Sequence, residues 1–162
     1  MHVQRGGVGV TALDRHLYAV GGNDGTSSLD SCERYDPLLN KWKMIKPMCY
    51  RRQNFLLFNI NSIFRAGAGV CVMDGYLYAL GGFDDNSPLS TCERYNPAND
   101  SWENLPTMGS PRGSFSLPLL MCSYFVTELL CSELGQHYKK TRFFRRCRSS
   151  LYGWLSLRHW RT

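Results

Sequence analysis

Leu17-Tyr18-Ala19-Val20-Gly21-Gly22-Asn23-Asp24-Gly25 returns sixty residues on as Leu77-Tyr78-Ala79-Leu80-Gly81-Gly82-Phe83-Asp84-Asp85. The match extends both ways at the same offset. Upstream, Arg5-Gly6-Gly7-Val8-Gly9-Val10 answers Arg65-Ala66-Gly67-Ala68-Gly69-Val70. Downstream, Glu33-Arg34-Tyr35, Trp42 and Met48 answer Glu93-Arg94-Tyr95, Trp102 and Met108. The second glycine stands 13 residues before the Tyr, and the Tyr 7 before the Trp, in both copies. Agreement at so many fixed spacings is an internal repeat.

One copy reads as four short strands. Val8 to Leu13 is small and β-branched, Asp14-Arg15 is a polar turn, and Leu17 to Val20 is the second arm of a hairpin. Gly21-Gly22 ends it, where a side chain would forbid the backbone angles or the approach of another segment. Asn23 to Ser28 is dense in turn formers and reads as an exposed loop. Ser31 to Tyr35 alternates, which sets Cys32 and Glu33 on opposite faces. Asp36-Pro37 and Leu39-Asn40 turn the chain into Lys41-Trp42-Lys43-Met44-Ile45, with Trp42 as the packing anchor. Four antiparallel strands make one twisted sheet with two faces to cover, and it cannot cover both alone. The second copy follows suit, except that Phe83 puts an aromatic at the head of its loop. Phe83 packs locally or meets a ligand.

These residues resemble the kelch repeat: a Gly-Gly doublet, a spaced Tyr, then a Trp seven residues later. Glu33-Arg34-Tyr35-Asp36-Pro37 is similar to the Kelch-like subgroup, whose members join BTB and BACK domains to a kelch β-propeller. The resemblance covers residues 5–52 and 65–113. It implies an all-β fold, a partial propeller of two four-stranded blades. The kelch signature falls on Gly21, Gly22, Tyr35 and Trp42, and on Gly81, Gly82, Tyr95 and Trp102. Blade 1 is expected over residues 1–52 and blade 2 over 65–113.

Two segments break the pattern. The usual repeat in this subgroup is about 47 residues, so thirteen are surplus here. Arg52 already holds the place of the arginine that opens a blade, and Arg65 supplies it again. Residues 53–64 are therefore an anomalous apolar, Asn-rich insertion. They are expected to be a short intron translated in frame, or else a family-specific loop over a blade edge. An exposed Phe55-Leu56-Leu57-Phe58 run would invite aggregation. The second break is the tail, residues 114–162, where no Gly-Gly, Tyr or Trp returns in register. Residues 1–113 carry 11 Lys+Arg and 11 Asp+Glu; residues 114–162 carry 8 and 2, so the whole net charge of +6 lies in the tail. This non-kelch basic tail reads as helical over Leu119–Leu134 or as disordered. It is too interrupted by polar residues to cross a membrane. The basic, aromatic run Lys139 to Arg148 would suit an anionic surface or nucleic acid, but without a recognised fold no specific nucleic acid is expected.

Other chemistry finds little footing. The seven cysteines include Cys32 and Cys92 at one repeat position, which suits a small buried apolar side chain. Cys122, Cys131, His137 and Cys147 are too irregularly spaced for zinc. No metal, no cofactor and no catalytic residue is expected, and the four histidines are scattered. An odd cysteine count without a signal peptide points to a reducing, cytoplasmic setting.

The resemblance implies a protein-binding module, the substrate-recognition propeller of a Cullin-3 ubiquitin-ligase adaptor. The partner would be a protein substrate; a cullin would come only through a BTB domain, absent here. The alternatives are an actin-binding kelch protein and a non-functional truncated gene product. The expected binding face takes Asn23 and Asp24, Phe83, Asp84, Asp85 and Asn86, and the arginines Arg5, Arg65 and Arg112. Arginines there would meet acidic peptides; otherwise each pairs with an acid of its own loop. Two blades leave two sheet edges open, so the isolated chain is expected to be marginal or self-associating.

Overall fold

A computed structural model describes residues 1–53 and 69–112. The expectations for residues 54–64, Arg65, Gly113, the tail and its cysteines lie outside the described residues. Among the described residues, eight strands form two antiparallel sheets of four. Blade 1 holds β1 (Gly9–Leu13), β2 (His16–Val20), β3 (Cys32–Asp36) and β4 (Lys41–Ile45). Blade 2 holds β5 (Gly69–Met73), β6 (Tyr76–Leu80), β7 (Cys92–Asn96) and β8 (Ser101–Leu105). In both, strands neighbour each other in chain order, a simple meander. The register repeats too: Tyr35 faces Trp42 and Tyr95 faces Trp102 across the last strand pair. Each of these ring pairs lies 5.2 Å apart and tilted, an arrangement aromatic quadrupoles favour.

The hairpins close as the turn residues predict. Asp14 and Arg15, and Asp74 and Gly75, all have positive φ, the tight turn whose twist matches paired strands. Blade 1 then packs its face of Leu13, Tyr18, Val20, Cys32 and Ile45 on Leu77, Ala79 and Tyr95 of blade 2, with Val70, Val72 and Trp102 at the margin. Gly9 explains how close the inner strands come. A Cβ there would lie 2.3 Å from Val70 Cγ2. Trp102 completes the junction, its Nε1–H donating to Lys46 O at 2.9 Å, while Lys46 N–H donates to Asp100 Oδ1 at 3.0 Å.

The alternation in β3 sets Cys32 and Glu33 on opposite faces, yet both are fully buried. Cys32 sits in the apolar core, where burial pushes its thiol up to about 12. Glu33 is covered by the segment that precedes β1. No helix long and apolar enough to cross a membrane is present among the described residues.

Candidate binding face

The loop end of each blade is held shut by an arginine that the sixty-residue offset misplaces. In blade 1, Arg5 Nε and Nη2 donate to Glu33 Oε1 at 3.2 and 3.1 Å, and Nη1 donates to Gly21 O and Ser31 O at 2.8 and 2.7 Å. In blade 2 the same four bonds come from Arg52. Its Nε and Nη2 donate to Glu93 Oε2 at 3.1 and 2.7 Å, and Nη1 donates to Gly81 O and Thr91 O at 2.6 and 2.8 Å. The counterpart of Arg5 is therefore Arg52, not Arg65. The side chains of Arg5 and Arg52 are 0% and 1% exposed. Each bolts the end of one strand to the start of the next. Arg5, read as a contact for an acidic peptide, instead pairs with an acid of its own blade.

Both acids gain further donors. His2 N–H donates to Glu33 Oε2 at 2.6 Å, Val3 N–H to Oε1 at 3.2 Å, and the His2 ring lies 2.9 Å away. Burial pushes the Glu33 carboxyl up, but the donors from His2, Val3 and Arg5 together outweigh it and hold it below the ordinary carboxylate value. Cys49 N–H takes the matching place on Glu93, at 2.6 Å. Thus His2 to Arg5 and Cys49 to Arg52 are the same strap in two copies.

The glycine doublets make room for the straps. Gly21 has φ +62, and a Cβ there would lie 2.4 Å from Arg52 O. Gly22 N–H donates to Arg52 O at 2.8 Å, and Gly82 N–H to Arg112 O at 2.9 Å. Arg112 therefore closes blade 2 through its backbone as Arg52 closes blade 1; its side chain lies on an exposed residue.

The loops themselves are built on acid-capped turns. Asp24 Oδ1 accepts the N–H groups of Thr26 and Ser27, and Asp84 Oδ1 those of Asn86 and Ser87. The bonds from Ser27 and Ser87 do most to lower these two carboxyls. Asn23 is half-buried, bridging to Gly6 and capping Gly25 N–H at 2.7 Å; Asp24 is exposed. Phe83 is half-buried and bridges to Gln53; Asp84 is half-buried, and Asp85 and Asn86 are exposed. Asp85 reaches the other blade. It accepts from Ser28 N–H with both oxygens at 2.8 Å and from Ser28 Oγ at 2.6 Å. So the structure brings the two expected loops side by side and bonds them together.

Glu33, Glu93 and Ser28 were missed as structural polar groups, and Arg52, placed at the opening of a blade, was not read as the bolt of Glu93. The arginines themselves follow one spacing, Met1–Arg5, Met48–Arg52 and Met108–Arg112. Among the described residues no group of His, Cys, Asp or Glu is placed to hold a metal.

The Kelch motif matches residues 4–48 and 65–109, together more than half of the chain. Kelch-like protein 26 of Danio rerio is 36% identical over 104 residues, 61% of this chain and 15% of that protein. An F-box/kelch-repeat protein of Arabidopsis thaliana is 29% identical over 128 residues, 76% of this chain and 23% of its own length. Kelch-like protein 7 of Rattus norvegicus is 31% identical over 94 residues, 58% and 14% of the two chains. The chain thus spans less than a quarter of each of these relatives. The solved structure of a fungal alcohol oxidase in complex with copper matches with a TM-score of 0.52, covering 66% of this chain and 23% of its own. At 18% identity that likeness is one of fold alone.

Proposed function

The chain belongs to the kelch-repeat family, and from that membership we propose that its blades form the substrate-recognition part of a Cullin-3 ubiquitin-ligase adaptor. These repeats are a protein-interaction module of propeller type, by the family match and the Kelch-like relatives. The adaptor reading is supported by the pairing of loops 23–28 and 83–88, two turns held side by side at the end of the sheets. A scaffold that spends its buried arginines on fixing loops keeps those loops ready for a partner, which lowers the ordering cost of binding. Of the expected contact residues, Asp24, Asn86 and Arg112 are exposed and Phe83 is half-buried.

The test joins the full chain to the BTB and BACK domains of a Kelch-like relative and compares ubiquitinated proteins in cells. The comparison is a fusion carrying Phe83→Ala, Asp24→Ala and Asn86→Ala. Substrates that depend on those side chains are the expected result. Identical ubiquitination by both fusions, with both folded, would overturn the reading. Co-sedimentation with actin filaments would favour the cytoskeletal alternative instead.

A further inference from the structure

Asp85 stands where a glycine would be easier. Its φ is +80, and the matched residue of blade 1 is Gly25 at φ +98. The match is secured by the turns around it: Asp24 and Asp84 each donate N–H to the serine three residues on and cap the same two amides. An L-residue in this conformation is strained, although Asp tolerates it better than most. The carboxylate reaches across to Ser28, which is 1% exposed, and takes its N–H and hydroxyl together. Gln53 Nε2 adds a third donor to Asp85 Oδ1 at 3.1 Å, and Ser28 Oγ also lies 3.2 Å from Phe83 O.

None of these three groups recurs at its matched position. Asp85 is matched by Gly25, which has no carboxylate. Ser28 is matched by Pro88, which has neither N–H nor hydroxyl. Gln53 is matched by Gly6, since the two form the same bridge to Asn23 and Phe83. We propose that Asp85, Ser28 and Gln53 form a junction-specific clamp that selects blade 1 as the neighbour of blade 2 and fixes the two exposed loops as one surface. The apolar contacts between blades use positions that are apolar in both repeats and so distinguish one junction from another weakly; the clamp does so by polar groups that one repeat lacks. Were blade 2 to be followed by a copy of blade 1, Pro88 would meet Gly25 and no such bond would form.

The test swaps Asp85 and Ser28 for the residues their sister blade already carries at the matched backbone positions, in the full chain. Asp85→Gly relieves backbone strain, so a residue that merely sits in a loop would give an unchanged or raised Tm. The clamp instead predicts a fall of about 4 °C or more, because charge-assisted bonds are lost. It also predicts amide exchange at Ser28 roughly tenfold faster or more. In a Ser28→Pro background, Asp85→Gly should be neutral or stabilising. Unchanged protection of Ser28, or an equal loss of stability in both backgrounds, would overturn the proposal.

Discussion

Arg52 and Glu93 are both sealed from solvent, and a buried ion pair is most costly when half of it is removed. Arg52→Ala strands the Glu93 carboxylate and also orphans Gly81 O and Thr91 O. The expected loss is about 3–5 kcal/mol, read by chemical denaturation. Arg52→Lys should recover little of it, because a single ammonium cannot reproduce the planar fork that makes four bonds to three acceptors. Glu33 gives a second test, through pH. Its folded carboxyl titrates below the unfolded value of about 4.3, so the stabilisation is fully present above that value. It is lost as pH falls through the folded pKa. Glu33→Gln should flatten the stability profile below about pH 4.3, measured by melts at stepped pH. These acids also mark where sequence reading stopped. The strand in which Glu33 lies was legible from alternation, but alternation only sorts faces. That the second face is also sealed depends on a strap 28 residues away, and nothing local encodes that.

At the scale of elements, strands and turns were the legible part because their signals are short-ranged: period-two patterns, a Gly-Gly stop, an Asp-rich turn. The arginine was misplaced for an equally physical reason. The extra residues fall between the strap and the first strand, so blade 2 has residues 54–68 where blade 1 has only Gly7 and Val8. Matching by a constant offset then pairs Arg5 with the wrong residue. Both anchors of that connection, Gln53 and Gly69, are in place. Deleting residues 54–66 should therefore preserve both blades and raise stability by about 1–2 kcal/mol through the smaller closure entropy. A denaturation midpoint lower than that of the parent chain would refute this. The close contact of the inner strands gives another prediction. Gly9→Ala pushes against Val70 and should cost about 1–3 kcal/mol, and much of that should return in Gly9→Ala/Val70→Ala. The close approach itself could not be read from the glycine, which looked like one small residue among several.

Across the whole molecule, equivalent residues live in different surroundings. Leu77 of blade 2 is 0% exposed against blade 1, while its counterpart Leu17 is 42% exposed, with Val10 at 57% beside it. Leu77→Lys should unfold the pair of blades. Leu17→Lys should leave the melt nearly unchanged and reduce self-association, followed by light scattering against concentration. Equal effects at the two sites would mean that both faces are covered in solution. One residue belongs to both blades at once. The Arg52 backbone closes blade 1, through Gly22 N–H to Arg52 O and Arg52 N–H to Leu29 O at 3.0 Å, while its side chain locks blade 2. The stretch that was copied and the stretch that folds are thus out of phase. A gene segment cut after Arg52 robs the next copy of its bolt; one cut before it leaves the previous copy unlatched. A blade moved on its own therefore needs the strap of the blade that follows it as well as its own. An interruption just past Gln53 leaves both locks whole.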